Sequence, residues 1–249
     1  MSEAKKPDGI VRRHFEVGET AVTILAEERF VPLATESIFR SRSIIQGFIA
    51  QDPLFKDTLE PYDQPESADP LIERMCDASR IAGVGPMASV AGVIAEAAVR
   101  SMVEAGARQA AVDNGGDISM YLSEPLEVGI FAGESPIKDL GLRFPAEERY
   151  YSVCTSSGTV GPSISFGISD AAVVLAEDAA LADACATRLG NEVQSSDEEG
   201  MLHALGVIMD VEGVDGALVI VGDRMAMKGR LPPLVRTKVS MRSISRSEL

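Results

Sequence analysis

The sequence predicts an α+β fold, and three observations carry that expectation. Strand-like and helical patterns come in separate blocks, without βαβα alternation. The hydrophobic period changes from helical to strand-like at residue 108 and stays so through residue 155. No stretch of linker composition divides the chain, so one domain over residues 1–249 is expected.

Residues 11–27 read as a hairpin, in which Val11, Phe15 and Val17 lead into Gly18-Glu19 and Ala21 to Leu25 return as a β-rich run. Over 34–50, Ile38, Ile45, Phe48 and Ile49 have the spacing of one helical face. Pro61, Pro65 and Pro70, set among acidic and polar residues, make 60–70 a loop. Asp69 is placed to cap a short helix from Pro70 through Met75. Gly83-Val84-Gly85-Pro86 then opens a helix over Met87–Ala105, with Gly106 as its stop. Small residues from Ala88 to Ala98 let neighbouring backbone approach that helix closely. Glu96 and Arg100 interrupt it, as expected of a buried helix and not of a membrane span.

Gln109 to Asp113, Ile118 to Leu122, Glu127 to Phe131, Leu140 to Phe144 and Tyr150 to Thr155 are short runs divided by Gly, Pro and acidic turns. This is the pattern of an antiparallel meander. Asp170 to Ala176 is a further strand, after which Asp178 can cap a helix from Ala179 to about Leu189. A helix over Glu198 to Met209 and a hairpin pairing Ala217–Val221 with Met225–Lys228 complete the elements.

Composition excludes several functions. A net charge of −15 repels nucleic acid and acidic membrane surfaces. The tail is basic, with Arg224, Lys228, Arg230, Arg236, Lys238, Arg242 and Arg246. It reads as a solvated end, or as a phosphate clamp through a residue such as Arg236. The polar start, MSEAKKPDG, shows no signal peptide, and Cys76, Cys154 and Cys185 form neither a CxxC motif nor a disulfide framework. A cytoplasmic protein is expected.

Three stretches can carry chemistry. The glycines before Pro86 present free amides at a helix start, where phosphate can sit, but the Walker and GxGxxG spacings are absent. Asp113-Asn114-Gly115-Gly116-Asp117 is a hairpin turn on local grounds, flanked by two acids able to hold ligand hydroxyls or ring nitrogens. The third stretch begins Thr155-Ser156-Ser157-Gly158 and ends in Asp183-Ala184-Cys185-Ala186-Thr187. A carboxylate and a hydroxyl four residues apart share a helix face, as two oxygen ligands of magnesium could.

In this order, over residues 83–191, the stretches resemble the ApbE-like superfamily, best known for FAD:protein FMN transferases. The matching pieces are Met87–Ala105, Ala111–Ile118, Thr155–Gly158, Asp170–Ala176 and Asp183–Thr187. The resemblance implies an α+β fold with internally duplicated motifs, a mostly antiparallel sheet packed with helices. It implies Asp183 and Thr187 as magnesium ligands, completed by a backbone carbonyl near Ala88–Gly92. It also implies that Gly115, Gly116 and Asp117, with Thr155, Ser156, Ser157 and Gly158, line FAD or FMN. Two features depart from the transferases. The stretch Gly161 to Ser165 lacks their His, and Met87–Glu96 lacks their Lys. In these respects the chain looks more like a cytoplasmic branch of archaea and anaerobic bacteria, associated with sulfide assimilation into homocysteine.

The enzymatic reading is magnesium-dependent action on a flavin nucleotide's pyrophosphate bond, or transfer of FMN. The alternative is an accessory protein of sulfur metabolism that uses the fold to bind a ligand or a protein partner, with Cys154 and Cys185 as possible thiols. A third reading makes the acidic surface and basic tail docking sites for a protein. The small-residue helix would also suit a homodimer. A Ser hydrolase would need His14 or His203, and a zinc enzyme would need more than two His and three scattered Cys.

Overall fold

The hairpin expected at 11–27 forms one edge of a large sheet in the computed structural model, which describes residues 9–17, 20–159 and 166–237. Its strands are β1 (Ile10–Val17) and β2 (Thr20–Glu27), and the Gly18-Glu19 turn lies outside the described residues. Four helices follow: α1 (Val31–Gln51), the short α2 (Leu54–Asp57), α3 (Pro70–Ala82) and α4 (Val90–Glu104). The chain then runs through β3 (Ala110–Asn114), β4 (Asp117–Tyr121), β5 (Leu126–Ile130), β6 (Leu140–Phe144), β7 (Tyr150–Ser156) and β8 (Ala171–Ala176). Helices α5 (Ala179–Glu192) and α6 (Glu198–Met209) precede β9 (Val214–Val221), β10 (Arg224–Gly229) and β11 (Leu234–Arg236).

The main sheet has the order β1-β2-β3-β4-β7-β8-β9-β10, and every neighbouring pair is antiparallel. The order divides into halves of one topology: a hairpin, a helical insertion and a second hairpin. In the first half β1-β2 is followed by α1 to α4 and β3-β4. In the second, β7-β8 is followed by α5, α6 and β9-β10.

The helices cover one face of this sheet. Val22, Val112, Cys154, Val174 and Val219 point toward Ile38, Met75, Val99, Leu189 and Leu205. Alternate strand residues point the other way, as the period of two requires. There Met120, Tyr151, Val153 and Val173 pack against Val128, Ile130, Leu142 and Phe144 of a separate three-stranded sheet, β11-β6-β5.

That second sheet corrects the expected meander. Ile118 pairs with Val153, so β4 takes β7 as its neighbour and the β5-β6 hairpin is displaced onto the outer face. Two helices also differ from expectation. The one expected to stop at Met75 continues to Ala82, because Ala78, Ser79 and Ala82 still face the core. It stops at Gly83, whose φ of 68° breaks the helix. Residues Pro86–Ser89 form a 3-10 turn, and α4 begins only at Val90. The combined Pro86–Glu104 segment is long and apolar enough to cross a membrane, but Val93, Ala95, Val99 and Met102 are packed within the core. Of the basic tail, Arg236 sits exposed in β11, and residues from 238 onward lie outside the described residues.

A buried carboxylate pair beneath two helices

The Asp-Asn-Gly-Gly-Asp run folds as the tight β3–β4 connection. Gly115 and Gly116 both have positive φ, 74° and 102°, the combination a two-residue hairpin turn needs and that side chains resist. The Asp113 carboxylate accepts the Gly116 amide at 2.9 Å, and the Asn114 side chain donates to the Ala91 carbonyl at 3.1 Å. The second bond ties the turn to the first turn of α4.

Asp117 begins β4 on the helix-covered face and is only 9% exposed. Its Oδ1 accepts the Thr155 amide of β7 at 3.3 Å. The Cys154 thiol lies between Asp117 and the Ala179 carbonyl, to which its Sγ is 3.6 Å away. Asp183, in the second turn of α5, is 8% exposed, and its Oδ2 accepts the Gly92 amide at 2.8 Å. The Ala91 amide also favours this carboxylate. These are orphan donors at the start of α4, and Asp183 caps them from a neighbouring helix. The approach requires glycine: a β-carbon at Gly92 would overlap the Ala179 carbonyl and lie 2.9 Å from Asp183 Cβ.

Burial pushes the Asp183 carboxyl up to about 7, against the opposing pull of the Gly92 and Ala91 amides. Asp117 is pushed well above the ordinary carboxylate range, by burial first and by the Asp183 charge second; the Thr155 amide acts in the other direction. Among the described residues neither carboxylate forms an ion pair, and the groups acting most strongly on each include no cation. Among the described residues, two acids are therefore desolvated together without a countercharge.

The remaining candidates surround this pair in sequence and partly in space. Thr155 supplies its amide to Asp117. Ser156, 6% exposed, has a buried hydroxyl with no hydrogen-bond partner. The Ser157 hydroxyl lies 3.4 Å from that of Thr159 and donates to the Ser169 carbonyl at 3.4 Å, while the Gly158 amide donates to the same carbonyl at 2.9 Å. Thr187 is half-buried one turn beyond Asp183 on α5. The structure thus brings Asp117, Thr155 and Asp183 together, with Gly115-Gly116 on the adjoining turn, and leaves Ser157 and Gly158 bonded to the chain entering β8. Gly161 to Ser165, where the transferase His is missing, lies outside the described residues.

No group of three or more His, Cys, Asp or Glu side chains among the described residues could hold a metal. Two carboxylates with a hydroxyl nearby suit a hard divalent cation whose shell is completed by phosphate, backbone carbonyl and water. The Ala91 carbonyl within the expected Ala88–Gly92 segment already accepts Asn114. The thiols are buried, and burial pushes them up: Cys76 to about 11, Cys185 to about 12, and Cys154 well above its ordinary value, further aided by Asp117 and Asp183. Such thiols are inert. His14 bonds Thr23 on the edge strand and His203 is exposed on α6.

Sequence reasoning missed the side chain of Asn114 and the amide of Gly92 as parts of this arrangement. Both had a local signal, a polar residue within the turn motif and a glycine in an apolar helix.

A family model described as AbpE bacteria matches residues 3–216. The chain is 49% identical to the UPF0280 protein of Methanocella arvoryzae, over 94% of this chain and 95% of that one. It is 46% identical to the UPF0280 protein of Methanosarcina acetivorans, over 95% and 94%. Its fold is similar to that of the Pseudomonas stutzeri flavinyl transferase ApbE in its apo form, with a TM-score of 0.58, 11% identity and coverage of 89% of this chain and 94% of that one. The ApbE protein of Thermotoga maritima has a TM-score of 0.56 at 12% identity, over 96% and 100%. The chain belongs to the AbpE bacteria family and has the ApbE-like α+β fold.

Proposed function

We propose that this protein binds a flavin nucleotide, FAD or FMN, together with magnesium, and acts on the pyrophosphate bond of FAD or transfers its FMN portion. The observation that carries this reading is the buried pair Asp117 and Asp183, which has no cationic partner among the described residues. When both carboxylates are ionised they repel nucleotide phosphate unless a cation intervenes. Magnesium would supply neutralisation of charge on the phosphate oxygens.

Asp183 and Thr187 would hold the metal. The Gly92 amide fixes Asp183 Oδ2, and a cation would take remaining lone pairs of the carboxylate. The unpartnered Ser156 hydroxyl would donate to a phosphate oxygen, with Ser157 beside it. Thr155 and Gly158 present the backbone of the same loop, while Gly115 and Gly116, free of side chains, let the nucleotide lie against the turn. Asp117 would orient it. That a fold neighbour is a flavinyl transferase supports flavin as the ligand. A cytoplasmic location and a single domain complete this reading.

Calorimetric titration of FAD, FMN and ADP, each with and without magnesium, tests it on wild type and Asp183→Ala. We expect magnesium-dependent binding of FAD that the substitution abolishes. Equal binding with and without the metal, or none, would overturn it.

A further inference from the structure

Glu96 is the most completely buried acid among the described residues, with no exposed surface, and the proposed chemistry makes no use of it. Its Oε1 accepts Arg100 Nε at 2.6 Å. Its Oε2 accepts Arg74 Nη2 at 2.7 Å and the Ala179 amide at 2.8 Å. Arg74 also reaches Asp178 Oδ2 at 2.8 Å, while Asp178 Oδ1 caps Leu181. One carboxylate therefore joins α3, α4 and the start of α5.

The arrangement is reciprocal. Glu96 of α4 takes an orphan amide from the first turn of α5, and Asp183 of α5 takes one from the first turn of α4. Gly92 precedes Glu96 by one turn, and Ala179 precedes Asp183 by one turn, so the two bonds are successive rungs between antiparallel helices. The Ala179 carbonyl packs where a Gly92 side chain would stand. A shift of Ala179 therefore moves the partner of Asp183.

We infer that Glu96 is a positioning residue for the candidate site: its bond to the Ala179 amide sets the register of α5 against α4 and so holds the Asp183 carboxylate on the Gly92 amide. This rests on the reading of Asp183 as a metal ligand. Outer partners of metal ligands commonly change affinity by about 10–100-fold when altered.

The test compares wild type, Glu96→Gln and Asp183→Asn by the proton resonance of the Gly92 amide, which a carboxylate acceptor draws downfield, and by titration with magnesium alone. In Glu96→Gln we expect the Gly92 resonance to move toward its position in Asp183→Asn. The magnesium dissociation constant should rise about tenfold or more. A lower melting temperature with the resonance and the affinity unchanged would make Glu96 a structural residue only and overturn the inference. If wild type takes up no magnesium, the reading of the site fails, and the Gly92 resonance still decides the role of Glu96. Should Glu96→Gln not fold, Glu96→Asp keeps a carboxylate beside the two arginines but draws it back from the Ala179 amide, and an unmoved Gly92 resonance there counts against the inference equally.

Discussion

Two groups of buried acid lie against the same pair of helices and are neutralised differently. Glu96 is surrounded by two guanidinium groups and a backbone amide, all within 2.8 Å. Asp117 and Asp183 have amides and a thiol beside them, and no cation among the described residues. A buried charge costs several kcal/mol unless it is paired, so a fold that has solved the problem at Glu96 leaves it unsolved one helical turn away. The difference separates a structural acid from a ligand-seeking one, although both are equally hidden from water in sequence terms.

The comparison breaks most readily at Glu96. Glu96→Ala leaves the Ala179 amide and two arginines without their acceptor, and should cost about 3 kcal/mol in urea unfolding. An effect below about 1 kcal/mol would put Glu96 in the same class as an ordinary surface acid. At the other group the sign reverses. A carboxyl raised to about 7 is favoured in its neutral form by the folded protein, so metal-free stability is present at low pH and falls as pH rises from the ordinary carboxylate range through about 7. Asp183→Asn should flatten this dependence and gain on the order of 1 kcal/mol over wild type at pH 8 without metal. Thermal melts between pH 5 and pH 8 check it; a slope shared by both proteins would dismiss Asp183 as its source. The smallest effect concerns the thiols. Cys76, Cys154 and Cys185 should resist alkylation by iodoacetamide at pH 8 until the protein is unfolded. Rapid labelling of Cys154 in the native state would restore a thiol role to the site.

Much of this molecule was legible before its fold was known. The cap at Asp69 with Pro70 behind it, the cap at Asp178 and the glycine turn at 115–116 are local devices, and each appears where the residues put it. The order of motifs over residues 83–191 pointed to the ApbE-like fold because several weak signals had to occur in one sequence.

What no local signal carried was the choice of partner. The β5-β6 hairpin has the pattern of a meander strand pair, yet β7 takes its place beside β4 and sends it to the outer face. Glu96 reads as a polar interruption of an apolar helix; Arg74 and Ala179, its partners, lie 22 and 83 residues away. Asp183 meets Gly92 across 91 residues. The sequence by itself determined most of the elements and the caps at Asp69 and Asp178, since these depend on backbone preferences and periodicities within a few residues. Only the tertiary structure decided that, among the described residues, one buried acid would meet two arginines and two would meet no cation, because charge compensation depends on distances that packing alone creates.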